Sequence, residues 1–543
     1  MMIAGADYIV VGAGPGGCAV ASRLAAARPD RIVVLLETGP SKPSVLTKVP
    51  LGIAGMVAFR GRHNYAYLTE PQPQLGGRRG YQPRGRGVGG SSLINAMIYV
   101  RGQPEDYDEW DALGASGWSW KEVLPYFRRA ESNARGADAR HGGDGPLRVE
   151  DLREPNPATQ AFIEAAKQAG FRYNSDFNGP DQQGVGAYQV FQREGRRFSA
   201  ADAYLGEDRS RYRNLIVLGD TKAVRICFDG RRASGVVVRK GNEDHVIEAR
   251  EEIVLAAGAF GTPQLLMASG VGPAFHLRDL GIPVIADRRE VGANLQDHID
   301  YTINVRSGAA GLFGLSAATA AAMPAAISRW RRGGRGMLTS NVAEAGGFLK
   351  TDPLLGRPDV QLHFCLGIVD DHNRKLHIGR GYSIHVCALR PHSRGTVRLT
   401  SPDMRDAPAI DPAFLSDPRD LDTLVKGVKI AQRIMVAPAL AALGGKPVYG
   451  SGRDDDATLR TLIRDHADTI YHPVGTCRMG SDENAVVDAQ LRVQGVTGLR
   501  IADASIMPRL ISGNTQAPTA MIGERASDLI LGRNSAAISP MAA

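Results

Sequence analysis

The stretch that most constrains this chain is Tyr8-Ile-Val-Val-Gly-Ala-Gly-Pro-Gly-Gly17, a short β-branched run ending in glycines at 12, 14 and 17. This is G-x-G-x-x-G between a predicted strand and a predicted helix over residues 18–27. Gly12 permits a tight turn, Gly14 lets the backbone approach a pyrophosphate, and Gly17 lets the helix pack close to the strand. The free N–H groups and positive end of that helix then face the phosphates. A second apolar run, 32–36, ends at Glu37, 20 residues after Gly17. An acid at that distance receives a ribose hydroxyl. The glycine pattern alone is weak. Strand, glycines, helix, strand and acid in register predict a bound dinucleotide. Glu37 speaks against a 2′-phosphate and leaves FAD and NAD both open.

The 543 residues, 43% hydrophobic and 22% charged, exceed one simple core, so two domains are expected. The five cysteines are odd in number and form no C-x-x-C. Neither a disulfide framework nor a zinc site follows, and no metal is expected. A reducing compartment is the simpler reading, hence a cytoplasmic location. No basic region precedes the first apolar run, so no signal peptide is expected. The net charge of +8 does not choose between a mildly basic surface and attraction to anions. Residues 307–328 carry no charge over a length that could span a bilayer. They are mostly Ala and Gly, so a buried helix or a flap is expected, with loose contact at the inner membrane face left open. The Arg-Gly stretch at 78–87 gives way directly to an ordered apolar segment, which argues against nucleic-acid binding.

Further along, 105–131 reads as a helix, and 215–218, 223–226 and 233–239 read as strands. Residues 252–263 read as a buried strand entering a glycine turn. Alternation at 360–364, 383–389 and 395–399 predicts a separate antiparallel sheet. The 370–377 loop, rich in Asp and His, reads as a solvated turn rather than a metal site. A strand at 499–503 and a helix at 514–531 return to α/β character. The expected fold is α/β, in two domains. A Rossmann-like dinucleotide-binding domain comes from 1–155, 213–300 and 466–533. A discontinuous substrate domain built on the antiparallel sheet comes from 156–212 and 301–465. Residues 534–543 read as a frayed tail.

Five longer stretches carry a resemblance. They are Gly85-Arg-Gly-Val-Gly-Gly-Ser-Ser-Leu-Ile-Asn-Ala-Met-Ile-Tyr99, Gly258-Ala-Phe-Gly-Thr-Pro-Gln-Leu-Leu-Met-Ala-Ser-Gly-Val-Gly272, Val291-Gly-Ala-Asn-Leu-Gln-Asp-His298, Tyr471-His-Pro-Val-Gly475 and Gly513-Asn-Thr-Gln-Ala-Pro-Thr519. In these the chain resembles the glucose–methanol–choline (GMC) flavin oxidoreductases. Asp176-Phe-Asn-Gly179 and Arg197-Phe-Ser-Ala-Ala-Asp-Ala-Tyr-Leu205 are similar to the choline-dehydrogenase-like and sorbose-dehydrogenase-like branch. The resemblance implies FAD. It also implies no covalent link, because Ile94 stands where some members carry the attaching His.

The resemblance places Gly12, Gly14, Pro15, Gly16, Gly17 and Glu37 at the ADP half of the cofactor. Val88, Gly89, Gly90, Ser91, Asn95, Ala96 and Met97 would lie along the flavin and pyrophosphate, and Val224 would meet the adenine through its backbone. Ala257, Gly258, Asp503 and Ala504 would hold the pyrophosphate region. Gln516 and Ala517 would begin a helix aimed at the flavin N1 and C2 carbonyl.

The implied chemistry is oxidation of a primary or polyol-type alcohol. Electrons would pass to a quinone, a dye-like acceptor or, in an oxidase, oxygen. A histidine suits the base that takes the hydroxyl proton, and the resemblance assigns this to His472. Asn514 would donate to the substrate oxygen. Taken alone, His472 reads first as a turn-capping histidine, and Asn514 fits a helix N-cap. Tyr471, Asn341 and Glu344 are candidate substrate residues. Residues 306–345 offer only Phe313 and Trp330 for an aromatic cage, which disfavours choline. The rival class is a non-catalytic flavin-binding protein.

Overall fold

A computed structural model describes residues 3–206 and 211–533. The expected tail at 534–543 lies outside the described residues. One sheet has seven strands, in the order Leu215–Leu218, Val33–Leu36, Gly5–Val11, Glu243–Leu255, Arg232–Lys240 and Lys222–Asp229, with Leu499–Ile501 pairing beside Glu243–Leu255. The long Glu243–Leu255 strand serves two purposes. Its first half pairs antiparallel with Arg232–Lys240. Its second half pairs parallel with Gly5–Val11 and Leu499–Ile501. Val33–Leu36 is buried throughout and Gly5–Val11 nearly so, as parallel strands covered on both faces must be.

The predicted helix after the glycine turn begins three residues early, as Pro15–Ala27 with proline in its first turn. It packs against the helix Gln516–Ile530 at a close crossing. A Cβ on Gly523 would stand 2.4 Å from the Gly16 carbonyl oxygen, so only glycine fits there.

The second sheet has eight strands and is antiparallel. Its path runs Lys446–Pro447, Ile299–Arg306, Gly379–Ala388, Val360–Cys365, Ala343–Leu349 and Gly184–Ala187. The period of two sorts its side chains. Ile303, Val305, Leu362, Phe364, Ile384 and Val386 share a core with the helices Pro157–Gln168 and Pro418–Met435. Phe162 stacks on Phe364 at 4.8 Å. The alternate residues Asp300, Asn304, Gln361, His363, Ser383 and His385 are polar yet buried. A buried polar face needs partners, and here His363 and His385 on it line the cavity described below.

Four expectations change. The 395–399 segment stays out of the large antiparallel sheet: Thr396–Arg398 pairs only with Ala409–Asp411, and Val397 packs with Phe260 and Leu295 instead. The single helix over 105–131 is two, Pro104–Ala112 and Trp120–Ala130, with Gly114 and Gly117 at positive φ between them. Val190, Phe191 and the helix Ala200–Leu205, assigned from sequence to the substrate domain, pack in the core of the dinucleotide-binding unit. Residues 307–328 form no buried helix. The helix Ala317–Gly333 lies on the surface and buries only Trp330. Among the described residues, no helix is long and apolar enough to cross a membrane.

A buried ionic cluster ties the 131–149 region to the 176–179 turn. Arg101 pairs with Glu131. His141 Nδ1 lies 3.1 Å from Glu131 Oε1, and its Nε2 lies 3.0 Å from Asp176 Oδ2. Burial opposes charge on His141, but the bonds to Asp176 and Glu131 outweigh it and lift the imidazole to about 9. A raised folded pKa contributes stability below the unfolded value and loses it as pH rises through about 9. His141→Ala should therefore cost about 3–5 kcal/mol near neutrality. The gap in melting temperature between wild type and variant should narrow as pH rises from about 6.5 to about 9 and change little above that. A constant gap would show that charge plays no part.

Candidate active site

One long cavity runs from the glycine turn, past the 85–97 loop, to the polar face of the second sheet. Gly14, the N-cap of the Pro15–Ala27 helix, makes no side-chain cap bond, which leaves the first N–H groups for an anion. Gly12, Gly14, Pro15 and Gly16 line the cavity. Gly17 lies behind them, where an added Cβ would stand 1.9 Å from the Gly12 carbonyl oxygen. Glu37 also lines the wall. It accepts the backbone N–H groups of Gly39 at 2.8 Å, Gly87 at 3.0 Å and Ala13 at 3.2 Å. Burial raises its pKa, and these donors work against that rise. A carboxylate has about four acceptor sites, so one remains for a ribose hydroxyl.

Gly90, Ser91, Asn95, Ala96 and Met97 face the cavity, but Val88 and Gly89 do not. Val88 packs in the core. Gly89 shapes the loop from behind by donating its N–H to the Ala13 carbonyl at 2.8 Å. Val224 sits at a register shift in its strand, outside the wall, where Thr221, Lys222 and Ala223 stand instead. Ala257, Gly258, Asp503 and Ala504 do line the cavity. Asp503 accepts from the Gly258 N–H at 2.8 Å and the Thr262 hydroxyl at 2.6 Å, which locks two turns together. Gln516 is in the wall, while Ala517 is behind it in the core.

The far end is held by a rigid loop. Tyr471 takes a positive φ of 78°. The backbone on either side is pinned. Asp297 accepts the His472 N–H at 2.8 Å, and Arg84 Nη2 donates to the Tyr471 carbonyl at 2.7 Å. The Tyr471 hydroxyl is engaged with His372 Nδ1 at 2.7 Å.

The hydrogen bonds fix the state of His472. His298 Nε2 lies 3.0 Å from the Leu389 carbonyl, which can only accept, so that nitrogen carries the proton. Burial holds His298 down at about 4, hence neutral, and its Nδ1 is a lone pair. His472 Nδ1 lies 2.9 Å from it and must be the donor. His472 Nε2 is therefore a lone pair. Burial, then His298, His363 and Arg84, hold His472 well below the usual histidine value. Asn514 Nδ2 donates to that lone pair at 3.2 Å, and Gln361 Nε2 fixes Asn514 Oδ1 at 3.1 Å. The N-cap of the Gln516–Ile530 helix is Thr515, so Asn514 is not its cap.

Of the substrate candidates, Tyr471 and Asn341 line this end, and Glu344 does not. Glu344 is spent on structure: it accepts from Asn156 N–H, the Thr159 hydroxyl and the Ser340 hydroxyl. Asn341 donates to Ala96 and Ala343 carbonyls. His363, Cys365 and His385 complete the wall. They were missed, although alternation of polar and apolar residues in Val360-Gln-Leu-His-Phe-Cys365 was visible. His385 sits 2.6 Å from Asp300, whose charge lifts it well above the usual value against burial. Among the described residues, no group of three or more His, Cys, Asp or Glu is placed to hold a metal ion.

The profile of the GMC oxidoreductases matches residues 6–300 and 391–523 of this chain. The chain belongs to the GMC oxidoreductase family.

Full-length relatives agree. An alcohol dehydrogenase [acceptor] of Pseudomonas putida is 43% identical, with 97% of this chain and 95% of that protein aligned. An oxygen-dependent choline dehydrogenase of Rhizobium etli is 40% identical over 97% of this chain and 96% of its own. Among solved structures, pyridoxine 4-oxidase from Mesorbium loti superposes with a TM-score of 0.85 at 30% identity, covering 96% and 98% of the two chains. This GMC protein is an FAD-dependent oxidoreductase acting on CH–OH donors. Its wall suits that cofactor. Beside the uncapped helix and the glycine cradle, Asn341 Oδ1, His363 Nδ1 and Gln516 Nε2 are buried polar atoms without a protein partner. Such atoms call for a polar ligand.

Proposed function

We propose that the protein oxidises a primary or polyol-type alcohol to the carbonyl, with His472 as base and Asn514 as the donor to the substrate oxygen. We further propose that FAD is held without a covalent link and that a quinone or similar acceptor removes the electrons. The observation that carries the reading is the pair of fixed orientations at His472 Nε2 and Asn514 Nδ2. A neutral imidazole with its lone pair in the cavity accepts the hydroxyl proton. The adjacent amide N–H donates to the oxygen as negative charge gathers there. Bound FAD supplies the acceptor for the carbon-bound hydrogen. His298 keeps the base in the competent tautomer, and Asp297 with Arg84 holds the loop, so little reorganisation is needed.

The acids lining the cavity are Glu37 and Asp503, both away from His472. Asp297, which holds the His472 backbone, is outside the wall, so a cationic substrate would find no carboxylate in the lining at this end, which favours a neutral alcohol over choline. Ile94 lines the cavity and has no atom that could bond to a flavin, so denaturation should release intact FAD. The five free cysteines suit a reducing compartment, which we take to be the cytoplasm. Transfer to oxygen instead would appear as hydrogen peroxide formed in step with product.

The depressed His472 sets the sign of the pH dependence. The base stays neutral well below the ordinary histidine range, so kcat/KM should be flat through neutrality and fall only on the acid side. A titration of kcat/KM centred above about 6.5 would contradict the assignment.

A further inference from the structure

Arg197 has no role in the chemistry above, yet it is a cation buried beneath the cofactor loop. Its side chain is 1% exposed. Nη1 donates to the Asn95 carbonyl at 2.6 Å, to Asn95 Oδ1 at 2.9 Å and to the Ser92 carbonyl at 3.3 Å. Nε and Nη2 are buried without a partner. Burial pulls the guanidinium down to about 9, and Asp202 opposes this. The group therefore stays charged at neutral pH. Asp202 acts on Arg197 only through space, because its carboxylate is ion-paired with Lys48 at 2.7 Å.

These bonds orient the amides that follow. Asn95 Oδ1 faces two donors, Arg197 and the Met97 N–H at 3.1 Å. Asn95 Nδ2 must then point the other way, and it donates to Gln516 Oε1. With Oε1 taken, Gln516 Nε2 is the free end. It is buried, without a protein partner, and belongs to a residue of the cavity wall. Each amide orientation follows from the cation at the start of the chain.

We propose that Arg197, Asn95 and Gln516 form a relay that would present the Gln516 N–H to an acceptor atom of the bound flavin, and that the Arg197 charge raises the flavin's reduction potential. Arg197 is thus a positioning residue, acting through Asn95. Hydrogen bonds in series polarise one another, and a buried charge is poorly screened. Both effects favour a flavin that has gained negative charge.

The test uses FAD-loaded enzyme and two readouts that do not depend on turnover. One is the midpoint potential of the bound flavin, and the other its affinity for sulfite, whose flavin adduct carries negative charge. Arg197→Met should destabilise the reduced flavin about tenfold, which is about 30 mV for a two-electron couple, and weaken sulfite binding similarly. Arg197→Lys should recover part of both. Gln516→Leu removes the last donor and leaves Arg197 in place. It should reproduce the loss, and the double variant should be no worse than either single one. If Arg197→Met fails to fold or to hold FAD, Gln516→Leu decides alone. Unchanged potential and sulfite affinity in a variant that holds FAD would overturn the proposal, as would fully additive losses.

Discussion

Replacing His472 with alanine should lower kcat/KM by about 100- to 10,000-fold, the usual contribution of a positioned base, while the protein stays folded and yellow. The side chain lies at the end of the cavity and is 7% exposed, and among the described residues its ring nitrogens hydrogen-bond to His298 and Asn514. Truncation leaves His298 Nδ1 and Asn514 Nδ2 facing each other across a small void, with no backbone displaced. The loop is held by backbone bonds to Asp297 and Arg84, which the substitution does not touch. Loss of the proton acceptor should therefore appear in turnover and not in FAD content. A variant with near wild-type turnover would remove His472 from the reaction.

Gly17→Ala should do the reverse and lose the cofactor. A methyl at Gly17 would sit 1.9 Å from the Gly12 carbonyl oxygen and 3.1 Å from the Ala256 side chain. Backbone on the strand side cannot yield without parting Gly5–Val11 from Glu243–Leu255. On the helix side, movement is blocked where Gly16 meets Gly523 and where a Cβ on Gly16 would already stand 2.1 Å from the Ala502 carbonyl oxygen. The substitution should cost at least the 1–3 kcal/mol, roughly, of overpacking, and displace the turn that cradles the pyrophosphate. Gel-filtered protein should be colourless or carry far less FAD, with a lowered melting temperature. Full FAD occupancy at an unchanged melting temperature would show that the close approach does not matter.

The two substitutions also show which parts of the molecule were legible in the sequence. The glycine turn was legible because its constraint is local: backbone geometry over a few residues requires glycine, and the strand and acid around it follow in register. The antiparallel sheet announced itself by alternation. His472 and Asn514 could be named only through the family resemblance, since each alone fits a turn or a cap. What makes them a pair is Gln361 and His298, which reach them from distant strands and loops. Glu344 was a substrate candidate from the sequence, but it is spent on structure. Its three donors come from residues up to 188 positions away, and no spacing reveals them. Val224 was displaced by a strand irregularity, and the helix expected over 105–131 was divided by two glycines that break its pattern at Gly114 and Gly117. His363 and His385 were hidden because polar residues in strands usually face water, whereas here they face a cavity.

The most direct measurement is anaerobic reduction of the bound flavin by neutral alcohols, followed by loss of its yellow absorbance, in wild type and in His472→Ala with and without added imidazole. Rapid bleaching of the wild type, a rate lower by at least two orders of magnitude in the variant, and partial recovery with imidazole are the expected results. Equal bleaching rates in the two proteins, both fully loaded with FAD, would contradict a proton acceptor at His472.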